Sequence, residues 1–92
     1  MKTIHKYRVS KGVERQAIML PKDAAILTVQ IQDKEPYIWA FVDTNRPLTQ
    51  RNFLCASTGD PISENPASLK YIGTYQFYQG PQLLVEHLFE VT

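Results

Sequence analysis

The stretch that decides the fold is Pro36-Tyr37-Ile38-Trp39-Ala40-Phe41-Val42-Asp43. Successive side chains of a β-strand point to opposite faces, so Tyr37, Trp39 and Phe41 share one side and Ile38, Ala40 and Val42 the other. Both sides are apolar or aromatic. A strand of that kind is normally covered twice, which predicts a central place in a sheet with packing on each face.

The neighbouring segments supply the partners. In residues 24–32, Leu27, Val29 and Ile31 share a parity against Thr28, Gln30 and Gln32, the pattern of a strand with one buried and one wet face. Asp33-Lys34-Glu35-Pro36 joins it to the central strand over so few residues that the two should form a hairpin. Residues 3–9 alternate loosely and end at the polar turn Ser10-Lys11-Gly12; residues 13–20 follow and stop at Pro21, which lacks a ladder donor. These two read as a strand and its hairpin return.

Beyond the central strand, residues 43–50 contain Asn45, Arg46 and Pro47, have no period and read as a loop. Residues 51–57 resume extended structure, with Phe53 and Cys55 on one parity and Asn52, Leu54 and Ala56 on the other. The polar, proline-bearing run 61–68 is the longest irregular segment. In residues 69–79 the isolated Gly73 predicts a bulge or a close approach by another backbone or a ligand. Leu83, Val85, His87, Phe89 and Val91 make the apolar face of the last strand, opposed by Leu84, Glu86, Leu88 and Glu90. About seven short strands, with no repeat and no linker, predict one all-β domain over residues 1–92, an antiparallel sandwich or a small barrel.

Ten Lys and Arg against nine Asp and Glu leave a formal charge of +1, so no global field recruits DNA. Cys55 is the only cysteine and cannot form an internal disulfide, and no Cys and His spacing suits zinc, so neither metal nor cofactor is expected. The N-terminus lacks a signal-peptide core and no apolar run is long enough to span a bilayer. A cytoplasmic protein is expected, and a virus-encoded protein working inside a host cell fits equally.

Candidate chemistry is sparse. His5 and His87 alternate with apolar neighbours and read as structural rather than as an acid and base pair. Cys55 has no His or Asp in a nucleophile motif and reads as a small core residue. Ser57-Thr58-Gly59-Asp60 forms either a plain turn or an anion nest, and Arg46 and Arg51 flank the loop after the central strand, where each could set its planar fork on a phosphate. Tyr37, Trp39, Phe53, Tyr71, Tyr75 and Phe77 exceed what one small core encloses easily, so part of this set should lie at a subunit contact or against a ligand.

Lys6-Tyr7, Leu20-Pro21 with Ala25-Ile26-Leu27, Ile38-Trp39-Ala40 with Val42-Asp43, Arg51, Phe53, Thr58-Gly59, Tyr71-Ile72-Gly73-Thr74 and His87-Leu88-Phe89-Glu90 follow one another in an order that resembles a group of small all-β proteins encoded mainly by bacteriophages. Through that group the chain resembles the anti-CBASS sponge proteins, tetramers that sequester cyclic dinucleotides such as cyclic GMP–AMP. The resemblance implies ligand capture without turnover, hence no enzyme activity, a homotetramer and a place in the cytoplasm of an infected host cell. It transfers no contact residues.

Those follow from the ligand instead. A cyclic dinucleotide needs surfaces for two bases and charge-assisted bonds to two phosphates. Trp39, Tyr71 or Tyr75 would stack on a base, Arg51 or Arg46 would hold a phosphate, and Thr58, Asn52 and Gln50 would read base edges or backbone. A chain of 92 residues with a filled core has little interior room, which places the site between copies of the chain. The alternative class is a phage structural or host-takeover adaptor that binds protein through a sheet edge or an aromatic patch.

Overall fold

A computed structural model describes all 92 residues. Seven strands account for most of the chain: β1 (Lys2–Arg8), β2 (Arg15–Pro21), β3 (Ala25–Gln32), β4 (Glu35–Asp43), β5 (Leu48–Ser57), β6 (Leu69–Gln79) and β7 (Gln82–Val91). There is no α-helix, only one 3-10 turn at Pro66–Ser68, capped by the Asn65 side chain on the Ala67 amide. The strands form two antiparallel sheets, β1-β4-β3 and β2-β5-β7-β6, packed as a sandwich and not closed into a barrel.

The central strand is central, but it is covered once. Pro36, Ile38, Ala40 and Val42 are buried against the opposite sheet, whereas Tyr37 and Trp39 are half-buried and Phe41 is 45% exposed on the outside. Two sheets make two layers, and no third layer exists to cover the aromatic side. Strands β3 and β4 form the expected hairpin. Its two turn residues, Asp33 and Lys34, both have positive φ, 51° and 70°, the signature of a type I′ turn matched to strand twist.

Residues 1–21 do not form a hairpin. Strand β1 pairs with β4 and β2 pairs with β5, so the chain crosses from one sheet to the other between them. Two bulges re-aim side chains that strict alternation misplaces. The β3 register shifts between Ile26 and Thr28, which turns Ile26 inward and leaves Leu27 53% exposed. The β6 register shifts between Tyr71 and Gly73, and Ile72 packs against the core there.

In β7 the inward parity is Leu84, Glu86, Leu88 and Glu90, while Leu83, Val85, His87, Phe89 and Val91 face out. The expected faces are thus exchanged. Pairing fixes the outcome, because Cys55 and Phe53 of β5 are core residues and sit opposite Leu88 and Glu90. Strand β5 also starts earlier than expected, at Leu48, pairing Pro21 of β2.

Gly73 lies tight against the opposite sheet. A Cβ at this position would lie 2.7 Å from Val29 Cγ1 of β3. Its φ is not positive, so close approach and not backbone freedom calls for glycine. Gly73→Ala is expected to cost about 1–3 kcal/mol by overpacking. In the double variant with Val29→Ala the two effects should be strongly non-additive, as chemical denaturation of the four proteins of the cycle would show.

Candidate functional site

The outer face of β1-β4-β3 is the strongest candidate surface. Along β4, Tyr37, Trp39 and Phe41 stand on one side at intervals of about 6.8 Å, twice the strand rise. Each is flanked across the sheet: Arg8 and Gln30 beside Tyr37, Lys6 and Thr28 beside Trp39, Ile4 and Ala25 beside Phe41. The result is a row of rings in which Tyr37 and Trp39 have cations on the β1 side and uncharged polar groups on the β3 side, while Phe41 has apolar neighbours on both. The Tyr37 and Trp39 rings meet edge to face, centroids 6.0 Å apart at 62°. Lys6 holds its ammonium 4.6 Å from the Tyr37 centroid and donates to Gln32 Oε1 at 2.6 Å. Arg8 lies 3.5 Å from the Glu35 carboxylate, a long, exposed pair that leaves most of its donors free.

Of the eight residues expected to bind, only Trp39 is on this face. Arg51 points into the sandwich, where it grips the Glu90 carboxylate with two nitrogens and donates through Nη1 to the Ala24 carbonyl at 2.8 Å. Glu90 pushes the guanidinium above its ordinary value, and a phosphate could take Arg51 only by breaking this contact. Arg46 lies in the turn after β4 and pairs with Asp23 at 2.8 Å. Gln50 and Asn52 are exposed on the outer face of the four-stranded sheet and bond to each other at 2.9 Å. Tyr75 is in the core, its hydroxyl 3.3 Å from Cys55 Sγ.

Thr58 and Tyr71 are brought together, by residues that link them. Tyr71 Oη contacts Thr74 Oγ1 at 2.5 Å, Thr74 Oγ1 contacts His87 Nδ1 at 2.9 Å, and His87 Nε2 contacts Thr58 Oγ1 at 2.7 Å. Both imidazole nitrogens are thereby engaged by hydroxyls. His5 lies in the other sheet, so the two histidines do not form a pair. The amide of Thr58 already donates to Val85 and that of Asp60 to Ser57, which leaves the Ser57–Asp60 turn with few amides for an anion nest.

The cations of the aromatic face carry a signal that the sequence does show. Lys2, Lys6 and Arg8 fall on a single parity of the first strand. Their place beside Tyr37 and Trp39 comes from the β1–β4 pairing, which sequence spacing does not reveal.

Two buried groups set an alkaline limit on the scaffold. Burial pushes the Cys55 thiol up to about 11 from 9.0. Burial likewise raises Tyr75 above 10.0, aided by its bond to Cys55. The unfolded chain releases these protons first, so the stability they contribute is complete below pH 9; the Cys55 part drains as pH rises from 9 to about 11, and the Tyr75 part begins to drain above pH 10. Thermal melts between pH 8 and 11 should show a falling midpoint, with the fall beginning later in Cys55→Ala. Separately, Arg51→Ala should cost about 3–5 kcal/mol by leaving Glu90 buried and unpaired, while Arg51→Met with Glu90→Leu should recover most of that in urea titrations.

No curated protein and no solved structure matches the chain. A family model does, over residues 1–92, under the description "Domain of unknown function (DUF7352)". The match spans the chain from end to end, and with it the whole sandwich described above: the chain belongs to the DUF7352 family.

Proposed function

We propose that the protein captures a cyclic oligonucleotide second messenger, of the cyclic dinucleotide class, and sequesters it unaltered. The observation that carries this reading is the uncovered row Tyr37, Trp39, Phe41 with Lys6 and Arg8 along its edge. Aromatic rings offer every base a stacking surface worth about 1–3 kcal/mol. Neighbouring cations supply charge-assisted bonds to the phosphates, and Thr28 and Gln30 can bond base edges. These are the contacts that the ligand requires, and the face supplies them from three adjacent strands.

A flat face covers a base on one side only. Enclosing the ligand takes a second copy whose face closes over the first, so the protein acts as a homo-oligomer, a tetramer by its resemblance to the sponge proteins. Capture without cleavage then suits phage immune evasion against CBASS, carried out in the cytoplasm of the infected host cell. An adaptor role is favoured by one feature, the exposed apolar pair Ile4 and Phe41 at one end of the same face, 52% and 45% exposed.

Calorimetry with a panel of cyclic di- and trinucleotides is expected to give saturable heat with at least one member. Trp39→Ala should weaken that binding about 5- to 150-fold, the equivalent of one lost stacking contact. Lys6→Gln should weaken it less at high salt than at low salt. Ligand recovered intact after proteolysis is expected of a sponge. Absence of heat throughout, with one host protein retained in stoichiometric amount through Phe41, would favour the adaptor.

A further inference from the structure

A cleft opens where the edges of the two sheets meet, away from the aromatic face. At Gly73 and Val29, β6 lies tight against β3. Farther along the same strands, Ile31 of β3 and Gln76, Phe77 and Tyr78 of β6 line a cleft of about 420 Å³, together with Lys11 and Lys34. Both are edge strands, so neither sheet has a further strand to close the gap. Ile31 and Phe77 pack against the core and give the cleft apolar walls.

The charge in the cleft is of one sign, since two lysines line it and no carboxylate does. Lys11 donates to the Lys34 carbonyl at 3.1 Å, and its ammonium stands 5.2 Å from the centroid of the Phe77 ring. Its carboxylate partner, Glu35, is 3.8 Å away and is shared with Arg8, so Lys11 is only partly neutralised. The Lys34 ammonium pairs with no carboxylate. Backbone geometry makes this lysine an unexpected choice. It holds φ at 70° in the second position of the turn, where glycine fits without strain. A lysine placed there at a cost to folding, with its ammonium unpaired on the lining of a cleft, points to a ligand.

Two neighbouring lysines call for a dianion, and the apolar walls call for a ring beside it. A phosphate monoester carries nearly two charges at neutral pH, whereas each phosphodiester of a cyclic dinucleotide carries one. The exposed Gln76 amide has a donor and an acceptor for the edge of a base, and the volume is that of a small-ligand site. We infer that this cleft binds a nucleoside monophosphate, its phosphate on Lys11 and Lys34 and its base against Ile31, Phe77 and the Gln76 amide. The inference is independent of cyclic dinucleotide capture and uses none of the residues of the aromatic face.

The test is calorimetry on the full chain at low salt with AMP and GMP, with adenosine and guanosine, and with inorganic phosphate. Saturable heat is expected with at least one nucleotide. Its nucleoside, which lacks the charge, and phosphate, which lacks the ring, should each bind about tenfold more weakly or worse. Lys34→Gly suits the positive φ, so this variant should melt no lower than the wild type while its affinity for the nucleotide falls about tenfold. Lys11→Gln should weaken binding as well, and Trp39→Ala should leave it unchanged. No saturable heat with either nucleotide, equal affinity for nucleotide and nucleoside, equal affinity of the wild type and Lys34→Gly, or an equal loss in Trp39→Ala overturns the site.

Discussion

The contact on which the sandwich most depends is the grip of Arg51 on Glu90, extended by its bond to the Ala24 carbonyl. It joins β5 and β7 of one sheet to Ala24, the residue before β3 of the other. Two inward charges are placed there at a desolvation cost, and each satisfies the other. The arrangement explains why an arginine beside a loop is no free anion site. It also explains how β7 can turn a glutamate inward without unfolding.

With that end secured, the rest is one filled layer between two sheets. Val9, Leu20, Val29, Ile38, Val42, Phe53 and Leu88 make the dense part, and Gly73 lets β6 approach β3 where a side chain would hold them apart. The molecule is 16 Å through its thinnest axis, which leaves no room for a ligand inside. Chemistry is therefore confined to outer faces and margins. The aromatic row on β4, the hydroxyl and imidazole chain around His87, and the lysine-lined cleft between the edges of β3 and β6 occupy separate parts of that surface.

Much of this could be read from the chain alone, and the exceptions have definite causes. The number of strands, the β3–β4 hairpin, the irregular stretch before β6 and the special position of Gly73 all rest on local signals: period two, turn residues and an isolated glycine. The bulge that exposes Leu27 leaves no such signal. Strand β7 is apolar on both parities, and its inward face is chosen by pairing with Phe53 and Cys55, contacts more than thirty residues away. The same holds for the site: ring types and cations are visible in the sequence, but Lys6 beside Trp39, or Arg51 against Glu90, is a product of tertiary pairing. Alternation puts Trp39 on the side of Tyr37 and Phe41, but only the two-layer stack leaves that side uncovered. Tyr75 lies in the core, and nothing local distinguishes a core tyrosine from a stacking one.

The two-residue turn at Asp33 and Lys34 does more than reverse the chain. It settles which half of β4 becomes interior and which becomes working surface, as a single binary choice. A one-residue slip of register there would turn Tyr37, Trp39 and Phe41 toward the core and Ile38, Ala40 and Val42 toward solvent. The buried core and the uncovered aromatic row are thus written in the same parity, and a slip would exchange both together.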